Sequence, residues 1–291
     1  MGVSSKSHIK TAEQAAGRAG VASRQITAMR QTSIFAKDWV VALTIFLFTR
    51  LIALAAAYAG ITKLIAAEPA RNKGWLAELA LNWDAAWYTG IAQHGYSFDP
   101  AAPGGSNIAF PPLYPALMRG LSEILGWASF GWDWGNRQYG TLVVAGLLIS
   151  NLSFLVALIL LVRLLSPRLG RARAALVALG LASLPTAFFF SAIYTEGFFL
   201  MLVLAAFTVA RSATGWKWAA AGLLGMLATL TKFAGLLLFG VLLVEYLVQL
   251  PESLKAPELA EETLTSWGKR TSFQEQRNQN PQGFGLLVLL I

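Results

Sequence analysis

The sequence contains no cysteine and two histidines, His8 and His94. The first absence excludes thiol catalysis, redox sensing and cysteine-based zinc sites, and two imidazoles are too few for a histidine-rich metal site. Charge is scarce as well. Asp, Glu, Lys and Arg make up 13% of the 291 residues, about half the ~25% of an ordinary soluble domain. A chain of this size with so few charges cannot cover a water-facing surface. That excludes a soluble globular enzyme, a disordered protein and a disulfide scaffold. What the sequence has instead is 56% hydrophobic residues and a mean hydropathy of +0.55. The remaining class is an all-α, polytopic transmembrane protein. The net charge of +8 would hint at nucleic acid in a soluble protein. Here the basic residues flank apolar runs, which is a signature of membrane orientation, so no nucleic-acid partner is expected.

Residues 1–37 are polar and basic, with Lys6, Lys10, Arg18, Arg24, Arg30 and Lys37 against Glu13. They hold no short apolar core with a small-residue cleavage site, so a secretory signal is not expected. A cytoplasmic tail fits better. The first apolar run, Trp39 to Tyr58, has about the 20 residues a helix needs to cross a bilayer, and the basic residues before it set its direction from cytoplasm to outside. A large outer loop follows at 60–139. Further apolar runs lie at about 140–162, 174–192, 195–210, 217–231 and 233–250. Together, 38–250 is expected to form one transmembrane module. A polar loop, 251–283, comes next. Residues 284–291 read as the start of an incomplete transmembrane helix of a longer protein, because the run Leu286 to Ile291 is too short to span.

Phe110 to Leu125 decides the topology. If it crossed the membrane, Arg163, Arg168, Arg171 and Arg173 would face outward, against the positive-inside bias. The segment also carries Arg119, Glu123 and three prolines, so it is expected as a juxtamembrane or re-entrant helix on the outer face. The 163–173 loop is then cytoplasmic, 190–196 outside, and Thr231-Lys232 outside. The run 217–250 is long for one helix and short for two. Lys232 near its middle would be costly inside a single span, which favours two short helices meeting at the outer face.

Several polar residues then fall on one side of the membrane. In the outer loop, Leu79, Trp83, Trp87 and Ile91 recur at helical spacing and predict an interfacial helix. Asp84 and Tyr88 lie one turn apart on another face. Asp84 fits either a solvated acid or helix cap, or a general base for a hydroxyl acceptor. Gly95 allows a helix C-terminal turn after His94, and Pro111, Pro112 and Pro115 stiffen the segment that follows. Glu196, beside Tyr194, and Lys232 share the outer level. Each fits a water-exposed end residue or a polar site, where the lysine would suit a lipid phosphate. Arg50, inside the first span, needs a partner or a water-filled cavity. Asp84, Glu196, Lys232 and Arg50 together suit chemistry on a lipid-linked phosphate. No metal-ligand spacing such as D-x-D is visible, and no cofactor is implied.

Three blocks carry a resemblance. They are Trp83-Asp84-Ala85, then Ile91-Ala92-Gln93-His94-Gly95-Tyr96, then Ala109-Phe110-Pro111-Pro112-Leu113-Tyr114-Pro115. They resemble the PIG-V family, the second mannosyltransferases of GPI-anchor assembly and their bacterial relatives. Tyr194-Thr195-Glu196 and Ala228-Thr229-Leu230-Thr231-Lys232-Phe233-Ala234-Gly235 look like two further family elements. The resemblance covers about residues 39–250. It implies a GT-C type glycosyltransferase that takes mannose from a polyprenyl- or dolichyl-phosphate sugar and passes it, with inversion, to a lipid-linked or glycan acceptor. Asp84 occupies the place of the family's catalytic acid. Lys232, with Arg50 or Arg119 in reserve, would stabilise the leaving phosphate. Trp83, His94, Tyr96, Tyr114, Tyr194 and Glu196 are further candidates for binding substrate. The membrane would be the bacterial plasma membrane or the endoplasmic reticulum. The alternative is a non-catalytic membrane protein, a transporter or scaffold subunit, or an inactive remnant of such an enzyme. A transporter should show repeated halves, and no internal repeat is visible.

Overall fold

The computed structural model describes residues 37–63, 83–99, 106–127, 137–211 and 215–249. The expectations for the basic tail before Lys37, the polar loop 251–283 and the final apolar run lie outside these residues. The described residues are helical, without strands. In chain order they form α1 (Lys37–Lys63), α2 (Asp84–His94), α3 (Leu113–Trp127), α4 (Arg137–Leu169) and α5 (Arg171–Ala182). A 3-10 helix (Pro185–Phe190) follows, then α6 (Glu196–Ala210), α7 (Lys217–Thr231) and α8 (Gly235–Gln249).

Two of these helices are long and apolar enough to cross a membrane, α1 and the Gly140–Leu169 part of α4. The 27 residues of α1 extend roughly 40 Å at 1.5 Å per residue. Shorter apolar helices are α6 and α8. The expected third span at 174–192 is not one helix. Pro185 lacks an N–H and biases Leu184 away from helical geometry, so α5 stops at Ala182 and the chain continues as the 3-10 helix. The run 217–250 is two helices, as Lys232 led us to expect. Lys232 is extended at φ −155, ψ 133, and Trp218 meets Tyr246 edge-on at 5.1 Å, so α7 and α8 form an antiparallel hairpin.

The long helix α4 is the central post. Phe154, Leu158 and Val162 bury against Ala42 and Ile45 of α1 and Ala174, Ala178 and Ala182 of α5. Leu142 and Val143 bury against Tyr88 of α2, Tyr114 and Met118 of α3, and Ile193. On another side α6 crosses α4 so closely that a Cβ on Gly197 would lie 2.7 Å from the Ser150 carbonyl oxygen. Small residues, Ala206, Ala210, Ala221 and Ala228, then pack α6 against the α7–α8 hairpin.

Polar contacts tie the helix ends into two sets. At one end Arg171 pairs with buried Asp38 at 2.7 Å, the Arg211 guanidinium donates to the Leu164 carbonyl at 3.4 Å, and Gln249 donates to the Ala210 carbonyl. Lys37, Arg163, Arg168, Arg173 and Lys217 belong by chain position to the same end. The opposite end gathers α2, the start of α3, the 3-10 helix and the α7–α8 turn. Between the ends, α8 leaves Leu236, Leu237, Phe239 and Val244 half or more exposed, and α1 does the same with Leu47, Phe48, Leu51 and Ile52. So large an exposed apolar surface is unusual for a water-soluble monomer.

Candidate active site

Two carboxylates each open a helix at this second end. Asp84 is the first residue of α2 and Glu196 the first of α6. The partial positive charge of a helix N-terminus favours a negative side chain at that position. The predicted stripe from Leu79 through Trp83 does not run into α2. Trp83 holds φ at +54, a conformation that L side chains rarely adopt. It is therefore a turn residue that aims Asp84 outward at the helix start, and Leu79 lies outside the described residues. Trp83 is 71% exposed, with its ring 6.3 Å from that of Phe188.

Tyr194 joins the two acids. Its phenol oxygen accepts from the main-chain N–H of Asp84 and sits within electrostatic reach of both Asp84 and Glu196. Burial raises its ionisation above the usual tyrosine value; the Asp84 N–H opposes this and the two negative charges add to it. Tyr88, one turn along α2 from Asp84, is pushed up to about 12. Burial is the main cause, the hydroxyl of Thr195 hydrogen-bonds the phenol and pulls the other way, and Glu196 and Asp84 push further up. Both phenols stay neutral at physiological pH and can donate a hydrogen bond.

Lys232 closes the cluster from the α7–α8 turn. Its Nζ lies 2.7 Å from Glu196 Oε1. The other oxygen, Glu196 Oε2, is buried and has no partner among the described residues. The lysine side chain is 43% exposed and the glutamate 28%, so the pair sits at the wall of the site in contact with solvent.

Behind this wall, Tyr114 is fully buried. Its hydroxyl shares a hydrogen with Ser150 Oγ at 2.7 Å, and Ser150 donates to the Tyr194 carbonyl at 2.9 Å. Tyr88 meets Tyr114 edge-on at 5.2 Å. Tyr114 thus supports the site from the core. His94 and Tyr96 are not brought to it. They sit at the other end of α2, roughly 15 Å along the helix from Asp84. Gly95 there makes the expected helix-ending turn at φ +82, donating to the Ile91 carbonyl, and Tyr96 staples the following loop by donating to the Phe110 carbonyl at 2.7 Å. Arg119 pairs with Glu123 on the exposed face of α3.

Arg50 finds its partners in main-chain carbonyls. It donates to Ala182 O and Ala187 O at 2.7 Å each and to Ser191 Oγ at 2.9 Å, with its guanidinium 4.9 Å above the Phe154 ring. Sequence reasoning passed over Ser150 and Thr195 as site members. The signal available was Ser150-Asn151 and Ser153 interrupting an apolar run, since polar groups there need partners. Among the described residues no three His, Cys, Asp or Glu side chains gather as a metal site.

Comparison with curated proteins and with solved structures returned no match. The family described as Mannosyltransferase (PIG-V) matches residues 39–259, a stretch that contains every side chain of the cluster. The chain belongs to the PIG-V mannosyltransferase family.

Proposed function

We propose that this chain is a multi-pass membrane mannosyltransferase of the GT-C type. It moves mannose from a polyprenyl-phosphate sugar to a hydroxyl of a lipid-linked or glycan acceptor on the outer or luminal face. The observation that carries this reading is the meeting of Asp84, Tyr194, Glu196 and Lys232 at one end of the helices in a member of a mannosyltransferase family. Two further features support the membrane setting, the exposed apolar faces of α1 and α8 and the crowding of basic residues at the opposite end.

In the proposed step the acceptor oxygen attacks the anomeric carbon while the bond from that carbon to the phosphate oxygen breaks. The bonding electrons leave with the phosphate, and the acceptor proton passes to Asp84. Attack opposite the leaving group inverts the anomeric centre. Asp84 suits the base because it is exposed at the mouth of the site and held by its helix start. The neutral phenol of Tyr194 lies between the two acids, and the part-exposed Glu196 carboxylate becomes available to sugar hydroxyls when a bound donor displaces its contact with Lys232. Lys232 neutralises Glu196 and leaves the site less repulsive to a phosphate-bearing donor.

The test is transfer by the purified full chain from radiolabelled polyprenyl-phosphate mannose. Asp84→Asn is nearly isosteric and should lower turnover by at least about 10²-fold, the low end for a general base, with thermal stability unchanged. Full activity in that variant, with the protein still folded, would remove Asp84 from the mechanism.

A further inference from the structure

A groove of about 460 Å³ lies between α1 and the segment joining α5 to α6. That volume is within the range of roughly 300–1,000 Å³ common for small-molecule sites. One wall is α1, which turns Ala53 and Ala57 toward the groove; the other is formed by Leu184, Pro185 and Phe188. The groove exists because α1 offers short side chains here while the break at Pro185 holds the facing chain away from it. Its lining is mostly apolar, with Arg50 as the charge.

Arg50 is only 5% exposed. A buried cation is costly unless it is paired, yet no carboxylate lies within ion-pairing distance of it among the described residues. Carbonyls and a hydroxyl take three of the five guanidinium donors, and Nε has no partner among the described residues. An apolar groove lined by an uncompensated arginine calls for an anion attached to an apolar chain. The guanidinium fork is also suited to phosphate. Phe188 in the groove wall has its ring 6.3 Å from that of Trp83, the residue before Asp84, so one wall of the groove is continuous with the start of α2.

We propose that this groove holds the phosphate end and first prenyl units of the polyprenyl-phosphate donor, and that Arg50 rather than Lys232 supplies the balancing charge. The inference rests on the mannosyltransfer reading for the identity of the ligand. Arg50 is committed to the groove, whereas Lys232 is already occupied by Glu196.

Binding, not transfer, tests it. Radiolabelled farnesyl phosphate is bound to the purified full chain in lipid nanodiscs, with farnesol, inorganic phosphate and phosphatidic acid as competitors. Farnesyl phosphate should bind and compete with itself far better than any of the three. Ala57→Phe fills the groove without touching the Arg50 hydrogen bonds, and should weaken binding about tenfold or more, the scale of a filled apolar pocket. Arg50→Lys keeps the charge but loses the fork, and should weaken it in the same direction. Binding to Ala57→Phe and Arg50→Lys within about twofold of wild type, less than 0.5 kcal/mol, would overturn the proposal. So would phosphatidic acid displacing the probe as well as farnesyl phosphate does, since the groove would then be a site for two-chain lipids. A failure of the mannosyltransfer reading appears separately, in the Asp84→Asn transfer assay.

Discussion

Asp84 shows what a single residue discloses in sequence and what it withholds. Its type, its aromatic neighbours and its motif were legible, and so was the turn at Gly95. The strained backbone of Trp83 was not, because nothing in Trp-Asp-Ala announces a positive φ. Tyr88 was visible only as a neighbour one turn away. Its contact with Thr195 depends on chain segments more than a hundred residues apart, which no local pattern encodes. The electrostatics of Tyr88 give a direct expectation. Its ionisation is raised from 10.0 to about 12, so the folded protein favours the protonated phenol. The stability this adds is intact below pH 10 and is lost as pH rises from there toward 12. An ultraviolet tyrosinate titration of wild type minus Tyr88→Phe should show a midpoint near the upper value. A midpoint at the ordinary value would mean that the phenol is neither buried nor facing the two acids.

Helix boundaries were legible where charge or proline marked them. Lys232 divided the 217–250 run because a lysine in mid-span is costly. Pro185 broke the expected third span, but hydropathy alone ran on through it, since the 3-10 segment Pro185–Phe190 is as apolar as a helix. Close approaches between elements were not legible. Gly235 sits where a Cβ would lie 2.4 Å from the Thr229 nitrogen and 2.6 Å from the Ala228 carbonyl carbon. These are backbone atoms within the tight α7–α8 turn and cannot move aside. Gly235→Ala should therefore destabilise the protein by about 1–3 kcal/mol, the usual cost of overpacking, and would shift Lys232 relative to Glu196. Thermal unfolding in detergent measures the first effect. An unchanged melting temperature would show that the turn is looser than this geometry.

At the scale of the whole molecule, the sequence placed Lys37 and the 163–173 loop on one side and the 84–114 segment, Glu196 and Lys232 on the other. Contacts such as Asp38–Arg171 and Glu196–Lys232 gather the described parts of those groups in the same way. The positive-inside bias leads us to expect the basic end on the cytoplasmic side. With single cysteines introduced at Ser97 and Ser166, an impermeant reagent should label the first and spare the second in sealed vesicles that expose the outer or luminal face. Labelling of Ser166 alone would reverse the topology. The groove beside Arg50 was not legible at this scale, because it arises from two segments more than a hundred residues apart that fail to touch.

Ser150 gives the site an asymmetry. One hydroxyl on the central post grips Tyr114 on one side and the Tyr194 main chain on the other, so the wall bearing Tyr194, against which Asp84 rests, is anchored. Lys232 reaches the same site from a separate hairpin through one solvent-touched ion pair. One wall of the site is therefore tied by a buried network, whereas the Lys232 side chain is held there by a contact that a ligand can replace. A substrate that competes for Glu196 would release the Lys232 side chain to solvent without disturbing the alignment of Asp84 and Tyr194.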